Sequence, residues 1–382
     1  VTSNEPGPLG LYVHFPWCVA KCPYCDFNSH PLRGSLDEDG YRRALLEDLQ
    51  ATLDSYDDQR SGSAAGPQIS SVFFGGGTPS LFSPATFGAL LDALAPRLAP
   101  EAEVTMEANP GSTEYHDFRG YRSAGVNRLS LGAQSFDDAA LKRLGRIHGA
   151  AETGRAYERA ASAGFDRINL DLMYGLPEQT EAGALEDLAQ AFALGPEHLS
   201  WYQLTLEPRT EFYGRPPPLP GDDRLAAMDE AGRAALTSAG YARYEVSAFA
   251  RRGAMSQHNL TYWTFGDYLG VGAGAHGKWR VGSGETVRTH KPKPPRLYLQ
   301  APAAQTRETV AAEALPAEFA MNALRLVDGV PSETWTARTG LPAAVLAPAW
   351  DRLAAMGLMR RDRFAATDRG YELLDSLIAE FL

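Results

Sequence analysis

Cysteine is nearly absent: the 382 residues hold three, all between positions 18 and 25. An odd, clustered set is no disulfide framework, so the core must rest on burial alone and the thiols are left for metal chemistry. Positive charge is also short. Lys and Arg total 36 against 47 Asp and Glu, a formal net charge of −11. A surface of that sign repels nucleic acid and anionic lipid unless cations or backbone N–H groups are gathered locally. No apolar run approaches the roughly 20 residues needed to cross a bilayer. Residues 1–10 are polar and rich in Pro and Gly, with neither the basic nor the apolar region of a signal peptide. The expected location is the cytoplasm, with any membrane contact peripheral and through a partner. Internal repeats and low-complexity tracts are missing too.

Hydrophobic residues make up 44% of the chain, enough at this length for one large core and a smaller one. Apolar runs at 11–15, 70–74, 103–107, 128–131, 167–172 and 198–204 read as strands. Helical stretches lie between them. Tyr41, Leu45, Leu49 and Leu53 recur every fourth residue, and Phe87, Leu90, Leu91 and Leu94 share one face, as do Leu185, Leu188 and Phe192. Six strand–helix units predict an α/β chain with a parallel sheet and right-handed crossovers, either an open sheet or a full or partial barrel. The polar residues of interest follow the strands, where such folds bind ligands. A stiff Arg215-Pro216-Pro217-Pro218 connector and a second break at Lys291–Pro295 divide the chain. The expected units are 1–215, a barrel; 216–300, a small α/β extension; and 301–382, short helices with a turn near Asp362 and a last helix to Leu382, in winged-helix-like order. That last unit has 8 Arg, no Lys and 11 acids, so it lacks the basic face that phosphate binding needs. It reads as a packing or docking module.

The three cysteines form Cys18-x3-Cys22-x2-Cys25 in a loop after the first strand. Three thiolates can hold three irons of a four-iron cluster and leave the fourth iron open. The alternative is a zinc site, with His14 or His30 as fourth ligand. Four further groups stand at strand ends: Gly76-Gly77-Thr78, whose glycines permit close backbone approach; Glu107; Gln134; and Asp171, a carboxylate on an almost wholly apolar strand that must find partners. Arg146 offers a planar guanidinium suited to a carboxylate. Tight turns, core packing and helix ends would explain each of these singly.

Cys18, Cys22 and Cys25 in this spacing resemble the signature of radical S-adenosylmethionine (SAM) enzymes. The resemblance implies a partial (β/α)6 TIM-like barrel, a [4Fe-4S] cluster on the three cysteines, and SAM chelating the open iron and being cleaved to methionine and a 5′-deoxyadenosyl radical. It implies SAM contacts at Tyr12, Phe27, Gly76, Gly77, Thr78, Glu107, Gln134, Arg146 and Asp171. Other segments resemble the subgroup of oxygen-independent coproporphyrinogen III oxidases and HemW-type heme chaperones. The oxidases carry a fourth cysteine two residues after the third, where this chain has Phe27. They also carry a long amino-terminal extension, against 17 residues before Cys18 here. His258-Asn259-Leu260-Thr261-Tyr262-Trp263 matches the H-N-x-x-Y-W motif of the chaperones. The resemblance therefore implies heme binding through His258, Tyr262 and Trp263, client heme proteins that include membrane-bound respiratory ones, and room for a homodimer. It assigns no catalytic residue and leaves enzymatic activity open, with coproporphyrinogen oxidation disfavoured. His276, closing Tyr268-Leu-Gly-Val-Gly-Ala-Gly-Ala-His276, is a second candidate iron ligand, although a structural histidine is the preferred reading there.

Overall fold

The computed structural model describes residues 7, 9–59, 67–111 and 116–382; most of the polar start lies outside the described residues. The six expected strands are all present: β1 (Leu9–Phe15), β2 (Ile69–Gly76), β3 (Leu98–Ala108), β4 (Arg128–Gln134), β5 (Arg167–Tyr174) and β6 (His198–Gln203). They lie side by side in chain order, each parallel to the next. Between the first two runs α1 (Glu38–Asp58), which starts where the Asp37 side chain accepts the Gly40 N–H at 2.9 Å. Its Tyr41, Leu45, Leu49 and Leu53 are all buried, as their spacing predicts.

The strands are two-faced. Leu129, Leu131 and Ala133 of β4 face the helices and are sealed, whereas Arg128, Ser130 and Gln134 alternate with them. Neighbouring strands repeat the pattern with Glu103, Thr105 and Glu107 in β3, Asn169 and Asp171 in β5, and His198 and Ser200 in β6. A parallel sheet buried on both sides would be apolar on both faces. This row of polar side chains lines a lumen.

The extension completes the sheet. It contributes β7 (Ala242–Arg243), β8 (Ala248–Ala250), β9 (Asp267–Val271), β10 (His276–Arg280) and β11 (Thr286–His290), and the same sheet continues past the expected boundary at residue 300 into β12 (Thr306–Thr309). The order is β12-β11-β10-β9-β1-β2-β3-β4-β5-β6-β8-β7. β9 pairs parallel with β1, so the sheet has a seventh parallel strand, and β10 to β12 follow it antiparallel. The two end strands differ, so among the described residues the barrel stays open. A short helix, α2 (Gln257–Trp263), carries the H-N-x-x-Y-W residues.

α1 and the extension are tied through a buried cluster. Asp48 and Lys291 form an ion pair with both side chains sealed. Asp48 also accepts the Gly272 N–H and the Tyr298 hydroxyl, each at 2.9 Å, and the Lys291 amine donates to Thr52 Oγ1 at 3.1 Å.

A separate core of Phe319, Trp335, Leu353, Phe364 and Phe381 holds the carboxy-terminal helices together. The expected turn at Asp362 is a hairpin closed by an antiparallel bridge from Met359 to Ala366. The last helix is split at Leu373 into Asp368–Glu372 and Leu374–Ala379. No described helix is long and apolar enough to cross a membrane.

Candidate functional site

The cysteine loop is held by hydrogen bonds at both ends. It is pinned by the His30 N–H to the Pro16 carbonyl at 2.7 Å and the Leu32 N–H to the Cys18 carbonyl at 2.8 Å. Lys21 donates to the Phe27 and Ser29 carbonyls at 3.0 and 3.1 Å, curling 21–29 back on itself. None of the three cysteines is in a disulfide, and all are partly exposed. Among the described residues no three His, Cys, Asp or Glu side chains close around a single ion. His14, the first alternative zinc ligand, is turned away: its Nδ1 pairs with the Tyr12 hydroxyl and its Nε2 with the Asn28 carbonyl, both at 2.9 Å. His30 Nε2 pairs with Asn28 Oδ1 at 3.3 Å. Three thiols with no histidine joining them suit a multi-iron cluster better than one zinc ion.

The glycine turn abuts this loop. A Cβ on Gly77 would lie 2.6 Å from the Trp17 carbonyl, and Gly76 holds a φ of +115° with its N–H given to Glu107 Oε2 at 3.0 Å. Only glycine fits both demands. Behind the turn, Asn109 donates to Thr78 Oγ1 at 2.9 Å and accepts from Arg146 at 2.6 Å; the same guanidinium donates to the Gly132 carbonyl at 2.9 Å and reaches Cys22 Sγ at 3.6 Å. Gln134 sits in the left-handed region at φ 66° and accepts the Tyr202 hydroxyl at 3.0 Å. A non-glycine residue held there costs about 1–3 kcal/mol and is found mainly at functional sites.

One cavity of about 1140 Å³ opens beside the cysteines and runs down the lumen. Tyr12, Cys25, Phe27, Gly76, Glu107 and Asp171 line it, and so do His258, Tyr262, Trp263 and His276. Cys18, Cys22, Gly77, Thr78, Gln134 and Arg146 are not on its wall; Gln134 ends β4, and the others stand in the cysteine segment, the glycine turn and the stretch after β4. Sequence reasoning thus named residues of one chamber without knowing that two motifs 240 residues apart share it. It missed Asn28 and Asn109, which brace the wall, and Phe73, which stacks on His258 at 5.2 Å.

Two carboxyls of the chamber, Glu107 and Asp171, are deeply buried. Burial pushes Glu107 up to about 8, with the Gly76 N–H opposing and nearby Asp171 adding to the rise. Asp171 is raised by burial as well, against hydrogen bonds from Ser200, Asn169 and Ser130. Two neighbouring buried carboxyls, of which Asp171 feels the Arg146 charge, would fit a ligand that brings positive charge and hydroxyls. The raised Glu107 also has a stability consequence. The folded state keeps a proton that the unfolded chain releases above about 4.5, so this contribution is full below that pH and is lost as pH rises toward about 8. Glu107→Gln should therefore flatten the fall in melting temperature of ligand-free protein over that window, relative to the parent; parallel curves would contradict the assignment.

His258 is sealed, 1% exposed. Nδ1 pairs with Ser71 Oγ at 3.0 Å, Nε2 pairs with the Tyr262 hydroxyl at 2.9 Å, and the backbone N–H is given to Glu103 at 3.1 Å. Burial pushes the imidazole down to about 3, so it is neutral. Iron could reach Nε2 only after Tyr262 lets go. Trp263 packs on the carboxy-terminal core, with the Arg325 guanidinium 4.3 Å from its ring.

Residues 12–191 match the Radical SAM superfamily and residues 310–373 the HemN C-terminal domain. The heme chaperone HemW of Escherichia coli (strain K12) is 48% identical over 379 residues, covering 98% of both chains. That of Haemophilus influenzae is 46% identical with the same coverage. The solved coproporphyrinogen III oxidase (HemN) from Escherichia coli superposes with a TM-score of 0.78 over 98% of this chain and 90% of that one, at 23% identity, a likeness of fold. Near-half identity along almost the whole length places the chain in the HemW family of the radical SAM superfamily.

Proposed function

We propose that this chain is a heme chaperone that binds heme in the lumen cavity and passes it to client heme proteins, respiratory and membrane-bound ones included. The single observation that supports this best is the shared chamber. At about 1140 Å³ it exceeds the roughly 300–1,000 Å³ of ordinary ligand pockets, which gives room for a cofactor and a second large ligand. Residues 1–215 carry the cluster and SAM in this reading, 216–300 the heme motif, and 301–382 a packing unit; a homodimer is compatible with it.

Cys18, Cys22 and Cys25 hold the [4Fe-4S] cluster, which with SAM supplies one-electron chemistry when bound. Arg146 sets its guanidinium beside the Cys22 sulfur. Glu107 and Asp171 offer carboxylates to the cationic end and hydroxyls of SAM, while Gly76, Gly77 and Thr78 give it a flat backbone approach. Tyr12 and Phe27 supply aromatic faces, and Gln134 a fixed amide. His258, Tyr262 and Trp263 form the heme-facing wall.

The test is titration of purified protein with heme beside the His258→Ala variant. The parent is expected to saturate with a shifted Soret band and the variant to bind more weakly by about tenfold, or about 1.4 kcal/mol. Identical uptake would remove His258 from the heme site. A parent that takes up no heme would end the chaperone reading.

A further inference from the structure

Four imidazoles reach the cavity wall, and they differ in what their nitrogens are free to do; both nitrogens of His14 and both of His198 are hydrogen-bonded. Those of His258 are both engaged, inside the core. His276 is the opposite case. It is the first residue of β10 and exposed, and it faces His290 across the antiparallel pair with β11. The rings stack at 5.7 Å with 30° between their planes. Partial burial, with His290, Lys293 and Arg288 nearby, holds His276 below its usual pKa. A neutral ring has a lone pair to give to iron.

The position of this ring is built. The loop before it, Gly272 to Ala275, is clamped to the cysteine loop: Asn28 Nδ2 donates to the Ala273 carbonyl at 2.9 Å and to the Lys293 carbonyl at 3.0 Å. A Cβ on Gly274 would collide with Asn28, and one on Gly272 with the His14 carbonyl. The backbone is therefore fixed on one side by residues three places beyond Cys25, and on the other by Asp48 through the Gly272 N–H. Around His276 the same cavity wall presents Phe27, 59% exposed, and Lys293. An apolar ring, a neutral imidazole and an ammonium group at one mouth match the face, metal and carboxylate of an iron porphyrin.

We propose that His276 supplies an axial ligand to the iron of bound heme at the cavity mouth, with Phe27 against the macrocycle and Lys293 toward a propionate. This rests on the heme-chaperone reading and adds to it a ligand that is open without any rearrangement of the core. The Asn28 clamp makes the cysteine loop part of the ligand's scaffold, so the metal centre and the heme site share a hinge point.

The experiment is a titration with iron(III) protoporphyrin IX followed by absorbance and electron paramagnetic resonance, in the parent, His276→Ala and His290→Ala. The parent should saturate. His276→Ala should weaken binding at least about tenfold and change the axial-ligand signature, and free imidazole should restore that signature. His290→Ala should keep the parent spectrum. His276 is exposed, so its variant is expected to fold; a circular dichroism spectrum equal to the parent's checks this. Unchanged affinity and spectrum in His276→Ala overturn this inference and leave the heme reading standing. A parent that shows no saturable shift overturns the heme reading itself, and this proposal with it.

Discussion

Cys22→Ser is expected to leave the barrel folded while iron in the anaerobically reconstituted protein falls from about four atoms per chain to near zero. The brown cluster absorption should go with it, and SAM binding should weaken. The two effects separate because the cysteines lie outside the core. Their loop is held by backbone hydrogen bonds and by Trp17, which packs edge-on against Tyr41 at 4.8 Å. Tyr41 in turn donates to the His14 carbonyl at 2.7 Å and is sealed in the large core. Nothing in that chain of contacts passes through a thiol. Serine keeps the size of the side chain but not the soft anionic sulfur, and Arg146 loses its partner at Cys22. Retention of iron would remove Cys22 from the cluster. A variant that fails to fold would show that the loop depends on the metal, contrary to the bonding described.

Lys291→Met should be the most destabilising single change near the site, by about 3–5 kcal/mol at neutral pH. The pair it breaks is sealed, with Asp48 0% and Lys291 1% exposed. Methionine fills the volume, so the loss is electrostatic: a buried carboxylate is left with neutral donors alone, the Gly272 N–H and the Tyr298 and Thr52 hydroxyls. Burial already pushes Asp48 above its usual range, and Lys291 is the largest opposing influence. Without the lysine the carboxyl is driven further up, and protonation relieves the strain. The deficit relative to the parent should therefore shrink as pH falls, the direction expected when only the folded variant gains a proton. Asp48→Asn combined with Lys291→Met should recover much of the stability, since neutral partners leave no orphan charge. Urea unfolding of the parent, Lys291→Met, Asp48→Asn and the double variant at two pH values measures this; Lys291→Met within about 1 kcal/mol of the parent would mean that water reaches the pair. Because Asp48 holds the Gly272 N–H, the single variant should also weaken heme binding through the loop that leads to His276.

The sheet was legible because its helix-facing residues are plain: Leu11, Val13, Leu129, Leu131 and Leu170 are apolar and sealed. The cysteine spacing, the glycine turn and the strand-end acids were legible because each is a local pattern. Two things were not. β9 holds Gly270 amid a glycine-rich stretch, so it carries little strand signal, yet it is the seventh parallel strand. A Cβ at Gly270 would meet the His276 backbone, so the feature that obscured the strand is the one that lets β10 approach. The lumen was the second. Its signal, polar residues at every second place in β3 to β6, is in the sequence, but short apolar runs conceal a two-residue alternation. The shared chamber itself has no local signature. It arises when α2 brings His258 against Phe73 of β2, a contact between residues 185 positions apart.

Heme transfer tests the central claim most directly. Protein reconstituted anaerobically with iron, sulfide and SAM is loaded with heme, freed of excess, and mixed with an apo-form of a respiratory cytochrome. The proposed function predicts that the Soret band moves to the position of the holo-cytochrome faster than heme leaves the protein alone, and that His258→Ala donates less. A protein that holds no heme to donate, and that under the same conditions with a reductant converts coproporphyrinogen to protoporphyrinogen, would contradict it.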